Sequence, residues 1–214
     1  MTDELLAEQM RYYRERAPEY DATSPQGGPY AATAARVIAD LRALGPVDLA
    51  IELGAGTGQY TGALASIAEA VVAVDSSPEA LELLRAKVVA PNVVTVADDF
   101  FTWRHDAPAD LVVFGAVLSH IPSDRFDMFW SAIDAMLASD GRVFLVDEAQ
   151  HELWSEEATG QDGIVMRTLE DGRRFRIVKV LWDPHALAAR LDRIGWRARL
   201  VREVPFFWGT VERI

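Results

Sequence analysis

The stretch that most restricts what this chain can become is Asp48 to Tyr60, DLAIELGAGTGQY. Asp48, Leu49, Ala50, Ile51, Glu52 and Leu53 read as a short buried strand, because an apolar run closed by a glycine cluster suits a parallel strand covered on both faces. The chain then turns through Gly54, Ala55, Gly56, Thr57 and Gly58. Three glycines at alternate positions remove the side chains that would hold a ligand away from the backbone. A helix starting near Gly58 adds unpaired N–H groups. Such a turn can lie flat against a nucleoside-like ligand.

The spacing of the glycines separates two readings. Dinucleotide binders use G-x-G-x-x-G, whose third glycine allows close helix packing beneath a pyrophosphate; here Gln59 holds that third place. The pattern is instead E-L-G-x-G-x-G. It resembles the first motif of class I S-adenosylmethionine-dependent methyltransferases, in which the turn passes beneath the methionine and ribose of the cofactor. The resemblance implies S-adenosyl-L-methionine as cofactor, S-adenosyl-L-homocysteine as product, and contacts from Glu52, Gly54, Ala55, Gly56 and Gly58.

Downstream spacing agrees with that reading. Tyr60 to Ala68 is expected as a crossover helix and Val71 to Val74 as the second parallel strand, by the right-handed connection rule. Asp75 then stands about 20 residues beyond the glycine turn at a strand's carboxyl end, placed to accept hydrogen bonds from both ribose hydroxyls, with Ser76 beside it. Ser77 and Pro78 read as the cap and first residue of a helix to Lys87. A third strand, Val93 to Ala97, ends at DDFFTW. In the family pattern an acid here bonds the adenine amino group and the next apolar residue covers the ring. That makes Asp99 the adenine acid and Phe100 the ring contact, with Asp98 as the off-by-one alternative.

Asp110 to Phe114 is the fourth strand, followed by Gly115-Ala116-Val117-Leu118-Ser119-His120-Ile121-Pro122. Open α/β sheets bind ligands outside the carboxyl ends of their strands, so this loop should face the transferable methyl. Ala116 and Leu118 are expected near the cofactor and His120 near the acceptor. A neutral imidazole there can take an acceptor proton or orient the acceptor; it can equally fix the loop through hydrogen bonds. A helix over Arg125 to Leu137, stopped by Ser139-Asp140-Gly141, leads to a fifth strand over Gly141 to Val146. Asp147, Glu148 and His151 follow it as possible acceptor-pocket residues, with Asp147 the second candidate base.

The two ends of the chain are the least regular. Tyr12 to Asp21 resembles the YY-x-x-R-A-x-x-Y-D entry that, in many small-molecule methyltransferases, folds over the cofactor. This implies a helical lid in residues 1–28, with Tyr13, Arg16 and Tyr20 at the methionine end and Arg16 facing its carboxylate. Another helix is expected from Tyr30 to about Leu44. Period-two alternation on either side of Leu169-Glu170-Asp171-Gly172 marks a β-hairpin within an insertion over residues 152–181; Trp154 and Met166 within it and Trp182 just beyond it could wall a pocket. A helix from Asp183-Pro184 to about Ile194 and two strands, Arg197 to Glu203 and Phe206 to Glu212, complete the chain. The order suits an antiparallel seventh strand beside the fifth.

The expected fold is therefore α/β: a Rossmann-like, seven-stranded doubly wound sheet in one domain over 1–214, with an N-terminal helical lid and an inserted hairpin. Composition limits the partners. The chain has no cysteine, so thiolate metal sites, disulfides and a catalytic cysteine are excluded. Its formal net charge is −12 and no Lys/Arg cluster stands out, which argues against nucleic acid, held mainly through phosphate neutralisation. The acidic start and the lack of a long apolar run give the expectation of a cytoplasmic protein without a membrane partner. A small-molecule acceptor methylated on N, O or carboxylate fits best. The alternatives are a module that binds S-adenosylmethionine without methyl transfer, as regulator, scaffold or enzyme of another reaction, and a dinucleotide-dependent oxidoreductase. Acceptor identity and oligomeric state are not encoded in these patterns.

Overall fold

The computed structural model describes residues 2–23, 30–149, 157–159 and 163–214; the expectations for His151 and Trp154 lie outside them. In chain order the elements are α1 (Asp3–Arg16), α2 (Tyr20–Thr23), α3 (Ala31–Arg42), β1 (Val47–Leu53), α4 (Thr61–Ala65), β2 (Ala68–Asp75), α5 (Pro78–Lys87), β3 (Val93–Ala97), β4 (Ala109–Gly115) and α6 (Phe126–Asp134). There follow β5 (Leu137–Glu148), β6 (Glu157–Ala158), β7 (Ile164–Thr168), β8 (Arg174–Val178), α7 (Pro184–Asp192), β9 (Trp196–Glu203) and β10 (Phe206–Arg213).

Seven strands form one sheet in the order β3-β2-β1-β4-β5-β10-β9. The strands from β1 to β5 run parallel, and β10 enters antiparallel between β5 and β9. Alternate residues of the central strands feed opposite faces. Ile51, Leu53, Val112 and Phe114 meet Phe129, Trp130 and Leu187 of α6 and α7 on one side. Ala50, Leu111 and Val113 meet Val37, Leu41 and Leu64 of α3 and α4 on the other. This is the doubly wound sheet expected, and it carries the tips of β1, β2, β3 and β4 to one edge.

Local signals place the helix starts. Ser77 accepts the Ala80 N–H at 3.1 Å with Pro78 at the first turn of α5, and Asp183 accepts the N–H groups of His185 and Ala186 at the start of α7. The largest boundary differences from expectation lie around β2 and β5. The crossover helix spans only Thr61–Ala65, because β2 begins at Ala68, where it already pairs with Val47. Ser139-Asp140-Gly141 does not stop a helix. It lies inside the long β5, where a register shift against Ala109 and Leu111 absorbs the extra residues.

The inserted hairpin, β7 and β8, gains a third short strand in β6. Its Tyr12-facing side forms a small core of its own, in which Tyr12 of α1 packs with Leu169, Phe175 and Ile177. Helix α1 also covers the free edge of β8: Glu8 accepts the Arg176 N–H at 2.7 Å and Gln9 accepts that of Val178 at 2.8 Å. Unpaired edge groups are thereby satisfied. Beyond β8 the chain joins the sheet, with the Val180 N–H on Ser119 O at 2.7 Å and a buried Lys179–Glu148 ion pair. Among the described residues no helix is long and apolar enough to cross a membrane.

Candidate functional site

A cavity of about 350 Å³ lies over the tips of the central strands, floored by the loops after β1, β2, β3 and β4 and roofed by α1. Gly54 sits at φ +65°, and a Cβ there would come within 2.6 Å of Val117. Only glycine fits both the left-handed backbone and the close approach. Gly54 and Gly56 both line the cavity. Asp75 stands beside them, its Oδ2 accepting the Gly56 N–H and its Oδ1 the Ser77 N–H, each at 2.8 Å. Burial raises its carboxyl pKa, against those two backbone donors. Each oxygen accepts one backbone N–H, and a carboxylate oxygen carries two lone pairs. Ser76, Asp99 and Phe100 complete this side. Asp99 is fixed by the Phe101 N–H on its Oδ1 at 2.9 Å, and Phe100 leans on Phe129 with ring centroids 5.7 Å apart.

At the other end lie Ala116 and His120, beneath Tyr13 and Tyr20 of the N-terminal segment. Ala116 holds φ +54°, among the described residues the one non-glycine position in the left-handed region. His120 is buried and fully committed. Its Nδ1 lies 2.7 Å from Val178 O and its Nε2 2.7 Å from the Tyr13 hydroxyl. A carbonyl only accepts, so Nδ1 carries the proton and Nε2 receives the Tyr13 O–H. Burial first, then the Lys179 and Arg167 charges, hold the imidazole pKa well below its ordinary value; the bond to Val178 opposes them. The Tyr13 phenol is pushed up by burial. The pair is therefore neutral.

Of the residues singled out from sequence, the structure brings Tyr13, Tyr20, Gly54, Gly56, Asp75, Ser76, Asp99, Phe100, Ala116 and His120 onto one cavity. The others stand behind its wall. Arg16 lies over the Tyr20 ring at 4.8 Å and donates to Thr23 Oγ1 at 3.0 Å. Glu52 is buried under the glycine turn, accepting Thr61 Oγ1–H at 2.6 Å, with a carboxyl raised by burial to about 8. Ala55 packs on Leu81 and Leu84, Gly58 abuts Leu84, and Leu118 is core. Asp98 is exposed and bonds the Asp99 N–H at 2.7 Å. Asp147 is also turned away from the cavity. Its oxygens accept the Ser119 and Glu148 N–H groups at 2.9 and 2.7 Å, so it ties down the loop that carries His120, and burial raises its pKa. Trp182 packs on Phe126 with centroids 5.1 Å apart, and Met166 sits across from Arg176 in the hairpin, both off the wall.

Sequence reasoning missed Gln9 and Met10, which line the roof. Leu6, Gln9, Met10 and Tyr13 recur at helical spacing on one face of α1, which was the available signal.

Comparison with known proteins agrees with this geometry. A methyltransferase domain family matches residues 50–141. The structure of DhpI in complex with SAH is 36% identical over 100% of this chain and 98% of that one, with a TM-score of 0.86. The DhpI–SAM–HEP complex gives the same identity and TM-score over 99% of both chains. A Burkholderia thailandensis 1,6-didemethyltoxoflavin-N1-methyltransferase, 19% identical over 98% of this chain and 89% of that one, shares the fold with a TM-score of 0.67. Among curated proteins, protein-L-isoaspartate O-methyltransferase 1 of Cupriavidus necator is 28% identical over 90 residues, 40% of this chain; the match spans only about a third, 35%, of that protein. By its sheet, its glycine turn and its likeness to DhpI over the full length of both chains, the protein belongs to the class I S-adenosylmethionine-dependent methyltransferases, with S-adenosylmethionine as its cofactor.

Proposed function

We propose that this enzyme methylates a small-molecule acceptor, and that the acceptor's reacting atom is an oxygen already anionic at neutral pH, such as a carboxylate. The observation that carries the site is the single cavity in which Gly54, Gly56, Asp75, Asp99 and Phe100 meet Ala116 and His120. The nucleoside would lie across the tips of β1 to β3, with Asp75 on the ribose hydroxyls and Asp99 and Phe100 at the adenine. Tyr13, Tyr20 and Ser76 would flank the cofactor, and Arg16 would reach its carboxylate from behind Tyr20. When bound, the cofactor supplies an electrophilic methyl carbon on a sulfonium, and S-adenosylhomocysteine leaves as the acceptor's lone pair takes that methyl.

Two features favour an acceptor that needs no base. Asp147 is turned away, with both oxygens held by backbone N–H groups. His120 is neutral, capped by Tyr13, and surrounded by the charges of Lys179, Arg167 and Arg16, which disfavour a further proton. The residues would then act by positioning and by excluding water. A roofed cavity of this size suits a small acceptor rather than a polymer, and the net charge of −12 disfavours nucleic acid. The toxoflavin enzyme acts on nitrogen, but its 19% identity speaks for fold alone. Lid, sheet and hairpin meet at Ser119 and His120, which supports one domain over 1–214.

Calorimetric titration with S-adenosylhomocysteine tests the cofactor site. Binding is expected in the wild type and a loss of about tenfold or more in Asp75→Ala, as a charge-assisted contact disappears. A panel of carboxylates, alcohols and amines, read by release of S-adenosylhomocysteine, tests the acceptor. Turnover confined to amines would overturn the oxyanion reading.

A further inference from the structure

Every polar group of His120 has a partner, and three of the four partners come from outside its own loop. Its N–H donates to Val117 O at 2.9 Å. Its carbonyl accepts the Gln9 side-chain N–H at 3.1 Å, its Nε2 accepts the Tyr13 O–H, and its Nδ1–H goes to Val178 O. Gln9 and Tyr13 stand one turn apart on α1, so both reach the same residue. The Gln9 amide closes the ring by accepting the Val178 N–H at 2.8 Å through its Oε1. Lid helix, inserted hairpin and the loop after β4 thus converge on one imidazole at the edge of the cavity.

We propose that Gln9, Tyr13 and His120 are positioning residues, a clamp that seats the lid and hairpin over the bound cofactor only while His120 is the neutral Nδ1–H tautomer. The proposal rests on the cofactor reading above but adds a dependence on proton occupancy. A second proton on His120 turns Nε2 from acceptor to donor. The Tyr13 hydroxyl must then rotate to face it, and the added charge is buried beside Arg16, Arg167 and the Lys179–Glu148 pair, with Asp147 behind on the Ser119 N–H. The groups that act on His120 are Tyr13 and Arg16 from α1, Arg167 from β7, and Lys179 just beyond β8, itself paired with Glu148 of β5. All the cationic ones oppose charging. When the lid lifts, the imidazole returns toward its ordinary value near 6.5. Acid therefore favours the open lid and weakens cofactor capture.

The test uses S-adenosylhomocysteine as probe. Wild-type affinity is expected to hold at neutral pH and to fall below about pH 6.5, by up to tenfold per unit. His120→Gln keeps an acceptor oxygen for Tyr13 without a titrating proton, so its affinity should lack that acid-side fall. Glu52 and Asp75 are common to both proteins, and the difference between the two profiles isolates His120. Gln9→Met and Tyr13→Phe should each weaken binding about fivefold to tenfold, and together by less than the product, because they act through one residue. Imidazole ¹⁵N shifts of the ligand-free wild type should report a neutral Nδ1–H tautomer at pH 7. An Nε2–H tautomer, or superimposable wild-type and His120→Gln profiles, would overturn the clamp. Absence of any heat with S-adenosylhomocysteine would instead remove the cofactor site beneath it.

Discussion

Glu52 and Ala116 both work from positions where their own chemistry is unfavourable. Glu52 keeps its proton under the glycine turn, with a carboxyl raised by burial from 4.5 to about 8. Between those values the unfolded chain releases that proton and the folded chain keeps it, so the stability this group contributes is lost as pH rises through the window. Glu52→Gln removes the titration while keeping an acceptor for Thr61. Its melting temperature relative to wild type should therefore rise from about pH 5 to pH 8.5, as followed by thermal unfolding of ligand-free protein. Ala116 bears the left-handed backbone at φ +54° on the cavity wall. Strain of that kind costs about 1 kcal/mol or more and gathers at functional sites. Ala116→Gly should raise stability by up to about 1 kcal/mol in denaturant unfolding. Gly54→Ala should do the reverse, since its Cβ would meet Val117 at 2.6 Å.

At the scale of elements, α1 belongs with the hairpin as much as with the sheet. Its ion pairs to the hairpin, Glu4 and Glu8 with Arg176 and Glu15 with Arg173, involve arginines about half exposed and add little. The apolar contact matters more: Tyr12 is 2% exposed and lies 5.6 Å from the Phe175 ring. Tyr12→Ala should release α1 while the sheet stays folded. Hydrogen exchange would then show lost protection in Asp3–Arg16 and unchanged protection in β1 and β4. Helix α5 is set by a local device instead. Ser77→Ala should cost about 1 kcal/mol, measurable by denaturant unfolding, because the Ala80 N–H loses its cap.

The whole molecule is held by the aromatic layer between the sheet and α6 and α7. Phe114, Phe129, Trp130 and Trp196 pack edge-on or tilted, with centroid distances of 5.2 to 6.2 Å. Trp130→Ala should cost about 3–5 kcal/mol and lower the cooperative melt of the sheet as a unit. Much of this organisation is written in short-range terms. The glycine turn, the acid at the end of β2, the Ser77 and Asp183 caps and the alternation of the hairpin depend on neighbours a few residues away. Sequence therefore places them directly, and with them the half of the cavity built from Gly54, Gly56, Asp75, Asp99 and Phe100. The other half is not local. Whether Asp147 faces a ligand or a backbone amide, and whether His120 is a free base or a tethered one, depends on partners 28, 58 and 107 residues distant. Gln9 gains its meaning only when α1 meets β8, 169 residues further on. Periodicity shows that a side chain is inward; only the folded chain decides which lone pair it meets there, because hydrogen-bond direction is set by where two distant backbones come to rest.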